Sequence, residues 1–204
     1  MNIKEVINRA VDVLKDSKIK TPHLDSELIL SKVINQKRQY LILNYKKNVN
    51  KNNLKDFIKL IYRRKRGEPV AYLTNFKEFW RQKYFVNKNV LIPRPDSEIL
   101  VEEVLKTYHK TKKLRVLDIG TGSGCLLLSI LKDRKYFLGT GIDISKKAIN
   151  VACFNAKLQH LNNRVKFYNS DIDKFFTGKY DLIISNPPYI KKQRLKYLDK
   201  DIAF

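Results

Sequence analysis

The stretch LRVLDIGTGSGCLLLSIL, residues 114–131, decides how the rest of the chain is read. Leu114–Ile119 is a short apolar run of strand length. Gly120, Gly122 and Gly124 follow at once, and Leu126–Leu131 then continues as an apolar helix. Glycines between a strand and a helix serve either of two ends. They let the main chain turn sharply, and they let a ligand approach the backbone in front of a helix N-terminus. The spacing is G-x-G-x-G rather than the G-x-G-x-x-G of dinucleotide loops, so the loop alone leaves both readings open.

Outward from this stretch the alternation repeats. Phe137–Ile144 reads as a second strand, with a helix over Lys146–Leu158. Val165–Tyr168 reads as a third strand and Tyr180–Ser185 as a fourth. Strands separated by helices imply right-handed crossovers and a parallel sheet. Upstream, Ile99, Leu100, Val101, Val104, Leu105 and Tyr108 mark a helix after the rigid connector Pro93-Arg94-Pro95-Asp96. Phe76–Ile92 is rich in aromatic and β-branched residues and reads as a β-hairpin, with Asn87-Lys88-Asn89 as its turn. Phe79 and Trp80 are expected to cover its apolar face.

The first ~70 residues carry helical periodicity. Ile3, Val6, Ile7, Ala10, Val11 and Leu14 form one apolar stripe. Thr21-Pro22 reads as an N-cap and first helical position, with Leu24, Leu28, Ile29 and Val33 continuing that helix. Leu54, Phe57, Ile58 and Ile61 mark another, stopping near Arg63-Arg64-Lys65-Arg66-Gly67. A small helical bundle is expected. The predicted domains are 1–73, helical; 74–95, a hairpin linker; and 96–204, the α/β domain.

Composition narrows the class. The chain has 204 residues, a hydrophobic fraction that suffices for a core, and no run of the ~18 to 20 apolar residues that a membrane span needs. Its N-terminus has scattered charges and no apolar run, against a secretory signal. The cysteines, Cys125 and Cys153, make no disulfide framework, read as packing residues and point to a reducing compartment. His23, His109 and His160 lack metal-ligand spacing, so no metal is expected. The net charge is +22, and lysine dominates it. Residues 1–95 hold 22 basic and 8 acidic side chains, residues 96–204 hold 20 and 12. A partner that feels the charge meets the N-terminal half; lysine-rich coding bias explains the same excess without one.

Three further pieces accompany the glycine loop Gly120, Thr121, Gly122, Ser123, Gly124. Asp143 ends the second strand, where an acid accepts hydrogen bonds from both hydroxyls of a ribose, or else caps the helix that follows. Ser170-Asp171-Ile172 follows the third strand. Asp171 suits an adenine amino group and Ile172 its ring face, or Asp171 caps the loop. Asn186-Pro187-Pro188-Tyr189 follows the fourth strand, at the sheet edge where ligands bind. Its two prolines stiffen the loop and remove N–H donors, which leaves carbonyls and the Asn186 oxygen as acceptors beside an aromatic ring. That set suits a planar NH2 group, an amide or an exocyclic base amine.

In this order the pieces resemble class I S-adenosylmethionine-dependent methyltransferases that modify nitrogen. Upstream, Arg66-Gly67-Glu68-Pro69, Phe76-Lys77-Glu78-Phe79-Trp80 and Ile92-Pro93-Arg94-Pro95-Asp96-Ser97-Glu98 are similar to the HemK/PrmC family. One departure is Asn75, where that family usually has glycine; asparagine tolerates a left-handed backbone. The resemblance implies a Rossmann-like α/β sheet behind a helical bundle that recognises the substrate. It implies methyl transfer from S-adenosyl-L-methionine to the glutamine nitrogen of the Gly-Gly-Gln motif in class 1 peptide chain release factors. By the same resemblance Gly120, Thr121, Gly122, Ser123, Gly124, Asp143, Asp171, Ile172 and Asn186 line the cofactor site. Asn186, Pro187, Pro188 and Tyr189 face the glutamine, with Asn186, Pro187 and Tyr189 catalytic.

A cytoplasmic monomer without stable nucleic-acid or membrane binding is expected. The alternatives are an adenine-N6 methyltransferase of DNA or RNA, favoured by the charge, and an inactive remnant. The last arises because family members have further strands after the Asn-Pro-Pro-Tyr strand, whereas only fifteen residues follow Tyr189 here. The sheet is thus expected to be C-terminally incomplete, with Tyr180–Ser185 as an apolar edge strand prone to aggregation.

Overall fold

The structure is a computed structural model and describes residues 1–187. Met1–Thr74 forms one compact unit, and the described residues from Asn75 onward form a second.

The first unit is a helical bundle of α1 (Ile3–Lys15), α2 (Pro22–Val33), α3 (Arg38–Leu43), α4 (Lys51–Lys65) and α5 (Val70–Thr74). Helix α1 starts at a reciprocal cap: the Asn2 side chain accepts from the Glu5 N–H, and Glu5 accepts from the Asn2 N–H. Its predicted stripe is buried in full, against Ile29 and Leu30 of α2 and Phe57 and Ile61 of α4. Three details differ from the periodicity. Leu24 and Ile58 face solvent, while Leu30 enters the core. Helix α2 instead turns Asp25, Ser26 and Glu27 inward. Thr21 is the N-cap residue of α2 and Pro22 its first position, as the sequence predicts, but the Thr21 side chain makes no capping bond: its hydroxyl donates to Asp25 Oδ1 at 2.8 Å. The other Asp25 oxygen accepts from Arg64 Nε at 2.7 Å, and both side chains are buried. Each inward polar group of α2 has its own partner: Asp25 takes Arg64 of α4, Glu27 takes Arg38 of α3 at 2.5 Å, and the Ser26 hydroxyl donates to the Pro22 carbonyl at 2.7 Å.

The second unit opens with the hairpin β1 (Phe76–Phe79) and β2 (Gln82–Phe85), paired in register from Phe76↔Phe85 to Phe79↔Gln82. The turn expected at Asn87–Asn89 does form, closed by the Val90 N–H on the Asn87 carbonyl at 3.1 Å, but it does not join the two strands of the hairpin. The chain reverses at Trp80-Arg81, both with positive φ (46° and 61°), as a two-residue hairpin turn requires. A tryptophan in that conformation costs energy. Tertiary bonds offset it: the Trp80 N–H donates to Glu98 Oε1 at 2.8 Å and its indole Nε1 to Asp133 Oδ2 at 2.7 Å. Asn87 makes a smaller local turn, accepting from the Asn89 N–H. Asn75 does adopt the left-handed backbone, at φ 63°. Phe79 and Tyr84 are buried beneath the hairpin, and the Tyr84 hydroxyl meets Ser129 Oγ at 2.8 Å.

After a short 3-10 turn and α6 (Glu98–Thr107), the chain alternates β3 (Arg115–Ile119), α7 (Cys125–Asp133), β4 (Leu138–Asp143), α8 (Lys146–Leu158), β5 (Val165–Asn169) and β6 (Leu182–Ser185). The strands form one parallel sheet in the order β5-β4-β3-β6. Helix α7 is buried at every position from Leu126 to Leu131, and packs on β3, β4 and α6. Cys125 is half-buried and packs against the core, whereas Cys153, expected to pack as well, is exposed on α8. Among the described residues β6 lies at one edge of the sheet, with Ile184 buried and Ile183 59% exposed. No described helix is long and apolar enough to cross a membrane.

The buried ion pair yields a test. Asp25→Ala removes the carboxylate that faces a buried guanidinium, and should cost about 3–5 kcal/mol in urea unfolding of the full chain. Glu102→Ala, at an exposed pair with Lys106, should leave the midpoint where it is.

Candidate functional site

The carboxyl ends of β3, β4 and β5 are laced together by main-chain bonds. As the chain leaves β3, the N–H groups of Gly120 and Thr121 both donate to the Ile142 carbonyl of β4 at 2.9 Å. The Gly124 N–H then closes the loop on the Thr121 carbonyl at 2.8 Å. Gly120, Gly122 and Gly124 all have positive φ, which explains the spacing. A side-chain carbon placed on Gly120 would meet nothing within 4 Å, and one on Gly122 only its own loop at 3.9 Å. At Gly120 and Gly122 the loop therefore presents open backbone, as a ligand cradle requires, whereas Gly124 packs closely, with a side-chain carbon there meeting Leu128 at 3.1 Å.

Asp143 stands beside that loop. Its Oδ2 accepts from the Gly122 N–H at 3.0 Å and its Oδ1 from the Ser145 N–H at 2.8 Å. It is not the cap of α8; Ser145 is, accepting from the Ala148 N–H at 3.2 Å. Two backbone bonds orient the Asp143 carboxylate, and each oxygen keeps a further lone pair for a hydroxyl. Asp171 does cap: its Oδ1 accepts from the Asp173 N–H and starts the 3-10 turn Ile172–Lys174. Ile172 presents an exposed apolar side chain there.

At the end of β6, Ser185 Oγ donates to the Ile119 carbonyl at 2.9 Å and ties β6 to the start of the glycine loop. Asn186 follows, half-buried, and its Nδ2 donates to Ser97 Oγ at 2.7 Å. Pro187 is exposed. Pro188 and Tyr189 lie outside the described residues. The fold thus brings Gly120–Gly124, Asp143 and the 171–172 turn to the same sheet end as Asn186 and Pro187.

Three contributors were not assigned roles from sequence. Ser97 sits in the connector motif, and its bond to Asn186 spans 89 positions. Asn155 is fully buried on α8 and donates to the Ser123 carbonyl inside the glycine loop. Asp118 opens the glycine motif, but its state depends on burial. It is 1% exposed and accepts from Thr121 Oγ1 at 2.7 Å. Burial pushes its carboxyl up to about 7, the Thr121 bond pulls it down, and the Asp143 charge adds to the rise. Among the described residues no three His, Cys, Asp or Glu side chains gather as a metal site would need.

Asp118 carries a signed pH dependence. Its folded pKa is raised, so its contribution is fully present below the ordinary carboxylate value and is lost as pH rises from about 4 to about 7. At 1.36 kcal/mol per pH unit the loss is on the order of 4 kcal/mol. Asp118→Asn should flatten this part of the stability profile in denaturant unfolding at stepped pH; an unchanged profile would refute the assignment.

Similarity to known proteins follows the same division. Residues 5–74 match the PrmC N-terminal domain family, and residues 95–200 match the Methyltransferase small domain family. A release factor glutamine methyltransferase of Buchnera aphidicola subsp. Baizongia pistaciae is 38% identical over all of this chain and 73% of its own length. One from Clostridium acetobutylicum is 38% identical over 99% of this chain and 72% of its own. A bifunctional methyltransferase of Rickettsia conorii is 33% identical over 93% of this chain and 41% of its own. With both family domains in order and the glycine loop, Asp143 and Asn186 at one sheet end, this chain belongs to the release factor glutamine methyltransferase family.

Proposed function

We propose that this chain transfers a methyl group from S-adenosyl-L-methionine to the glutamine side-chain nitrogen of the Gly-Gly-Gln motif in class 1 peptide chain release factors. In this reading it acts as a cytoplasmic monomer on protein rather than nucleic acid. The observation that carries the reading is Asn186, held by Ser97 at the sheet end that also bears the glycine loop and Asp143.

The residues fit the cofactor. Gly120 and Gly122 offer open main chain, Asp143 an oriented carboxylate for ribose hydroxyls, Asp171 an acceptor for an adenine amine and Ile172 an apolar face. When bound, S-adenosylmethionine supplies an electrophilic methyl carbon on a sulfonium. The protein's task is to present a poor nucleophile, because the amide lone pair is delocalised. The Asn186 Oδ1 and the Pro187 carbonyl accept N–H bonds from the glutamine amide. They aim its nitrogen and favour the positive charge that grows there. Ser97 is a positioning residue: its bond to Nδ2 sets the plane of the Asn186 amide and hence the direction of Oδ1. Proline at 187 and 188 keeps competing N–H donors away. Tyr189 supplies a flat face for the amide. No dedicated base is required, since the proton leaves to water after transfer.

The release factor is proposed to meet the helical unit. A cavity of about 750 Å³ there is lined by Ser17, Lys59, Tyr62, Arg63, Lys65 and Arg66. Arg63 is already paired with Glu68, so Lys59, Lys65 and Arg66 carry the attraction for an acidic surface.

The direct test is transfer of labelled methyl to a release factor, mapped to the glutamine, with RNA and DNA as competing acceptors. Label on nucleic acid alone would overturn the proposal. Asn186→Ala should lower kcat by about 10²-fold or more while cofactor affinity stays within about threefold. Ser97→Ala should lower kcat about tenfold, and Asp143→Ala should weaken calorimetric cofactor binding about tenfold. Reversing Lys59, Lys65 and Arg66 to Glu should raise KM for the release factor, more so at low salt, with cofactor affinity unchanged.

A further inference from the structure

Asn155, on α8, is fully buried and serves two segments far apart in sequence. Its Oδ1 accepts from the Phe85 N–H at 2.7 Å, and its Nδ2 donates to the Phe85 carbonyl at 3.0 Å. The remaining Nδ2 hydrogen goes to the Ser123 carbonyl, inside the glycine loop, at 2.9 Å. Just past the end of α8, the C-cap residue Gln159 donates its Nε2 to the Lys83 carbonyl at 2.9 Å.

Lys83 and Phe85 alternate along β2, so their main-chain groups point off the edge that β1 does not cover. A two-stranded hairpin always has such an edge, and buried backbone groups left there are costly. A primary amide has the same donor and acceptor side by side as a peptide group. Asn155 and Gln159 therefore stand in for the next strand. Asn155 does more, because its second N–H reaches the cofactor loop. The Ser123 carbonyl belongs to the same peptide plane as the Gly124 N–H, which closes the loop on the Thr121 carbonyl. Rotating that carbonyl away from Asn155 breaks the closing bond as well.

We propose that Asn155 is a positioning residue that couples the hairpin to the cofactor loop, so that the seating of β2 and the affinity for cofactor rise and fall together. The proposal rests on the cofactor reading of the loop given above. Asn155 acts on the cofactor site only through the Ser123–Gly124 peptide.

The test compares two isosteric variants of the full chain. Asn155→Asp keeps the acceptor for the Phe85 N–H but sets an oxygen against the Phe85 and Ser123 carbonyls. Gln159→Glu makes the same kind of lesion at the Lys83 carbonyl without reaching the loop. S-adenosylhomocysteine affinity is measured by calorimetry, and amide hydrogen exchange over residues 82–86 and 120–124. Asn155→Asp should weaken binding about tenfold or more and speed exchange in both segments. Gln159→Glu should speed exchange in 82–86 only and leave affinity within about twofold. Asn155→Ser, read the same way, replaces Asn155→Asp if the latter does not fold. Wild-type affinity with unchanged exchange at 120–124 in the Asn155 variant overturns the proposal. So does a Gln159→Glu loss as large as that of Asn155, which would make the hairpin merely structural. If the wild-type chain itself binds no S-adenosylhomocysteine, the cofactor reading fails, and the exchange comparison still decides the coupling.

Discussion

The Ile142 carbonyl receives two N–H groups, those of Gly120 and Thr121, as the chain leaves β3. Much of the second unit depends on that junction. It forces the backbone into left-handed conformations that glycine tolerates, and directs the chain into α7. It also puts Gly122 within reach of the Asp143 carboxylate on the neighbouring strand. A parallel sheet leaves its strand ends without partners from its own ladder, and here the loops satisfy one another across strands. The Ser170 N–H and the Asn169 side chain both donate to the Asp143 carbonyl in the same manner. The geometry that could hold a ligand is thus first a solution to backbone hydrogen bonding.

Buried polar side chains set the second level of order. Asp25 and Arg64 in the helical unit, and Asn155 and Asp118 in the α/β unit, are each removed from water and each hydrogen-bonded. Such groups tolerate few alternative packings, because any arrangement that leaves them unpaired carries a desolvation cost. Apolar contacts collapse each unit. These groups choose which collapsed arrangement persists.

The proposed chemistry asks little of any one residue beyond placement. The Asn186 amide is a weak acceptor in water, and its value in methyl transfer lies in being held. The hold comes from Ser97 on one side and from the Ser185–Ile119 bond on the strand before it. This accounts for the company the connector motif keeps. Ile92–Glu98 supplies Ser97 to Asn186 and Glu98 to the strained hairpin turn at Trp80.

Local pattern was enough for most elements. The α1 stripe, the strand–glycine–helix passage at 114–131, α8 and the alternation of the sheet follow from periodicity and from glycine, whose effects act within a few residues. The candidate ligands at 120–124, 143, 171–172 and 186–187 were legible because strand ends in such a sheet converge by topology. Two features misled it. The hairpin turn reads as Asn87–Asn89 from composition, yet lies at Trp80-Arg81, where bonds from Glu98 and Asp133 make an unfavourable turn stable. Thr21-Pro22 does start α2, yet the capping bond expected of the Thr21 hydroxyl goes to the Asp25 carboxylate instead. Ser97 and Asn155 carry no local mark at all. Periodicity and glycine placement settle the strands, the longer helices and which strand ends meet, but leave the short helices α3 and α5 unmarked. Which buried polar groups pair is settled by packing in three dimensions, because a hydrogen bond between distant residues leaves no period in the chain.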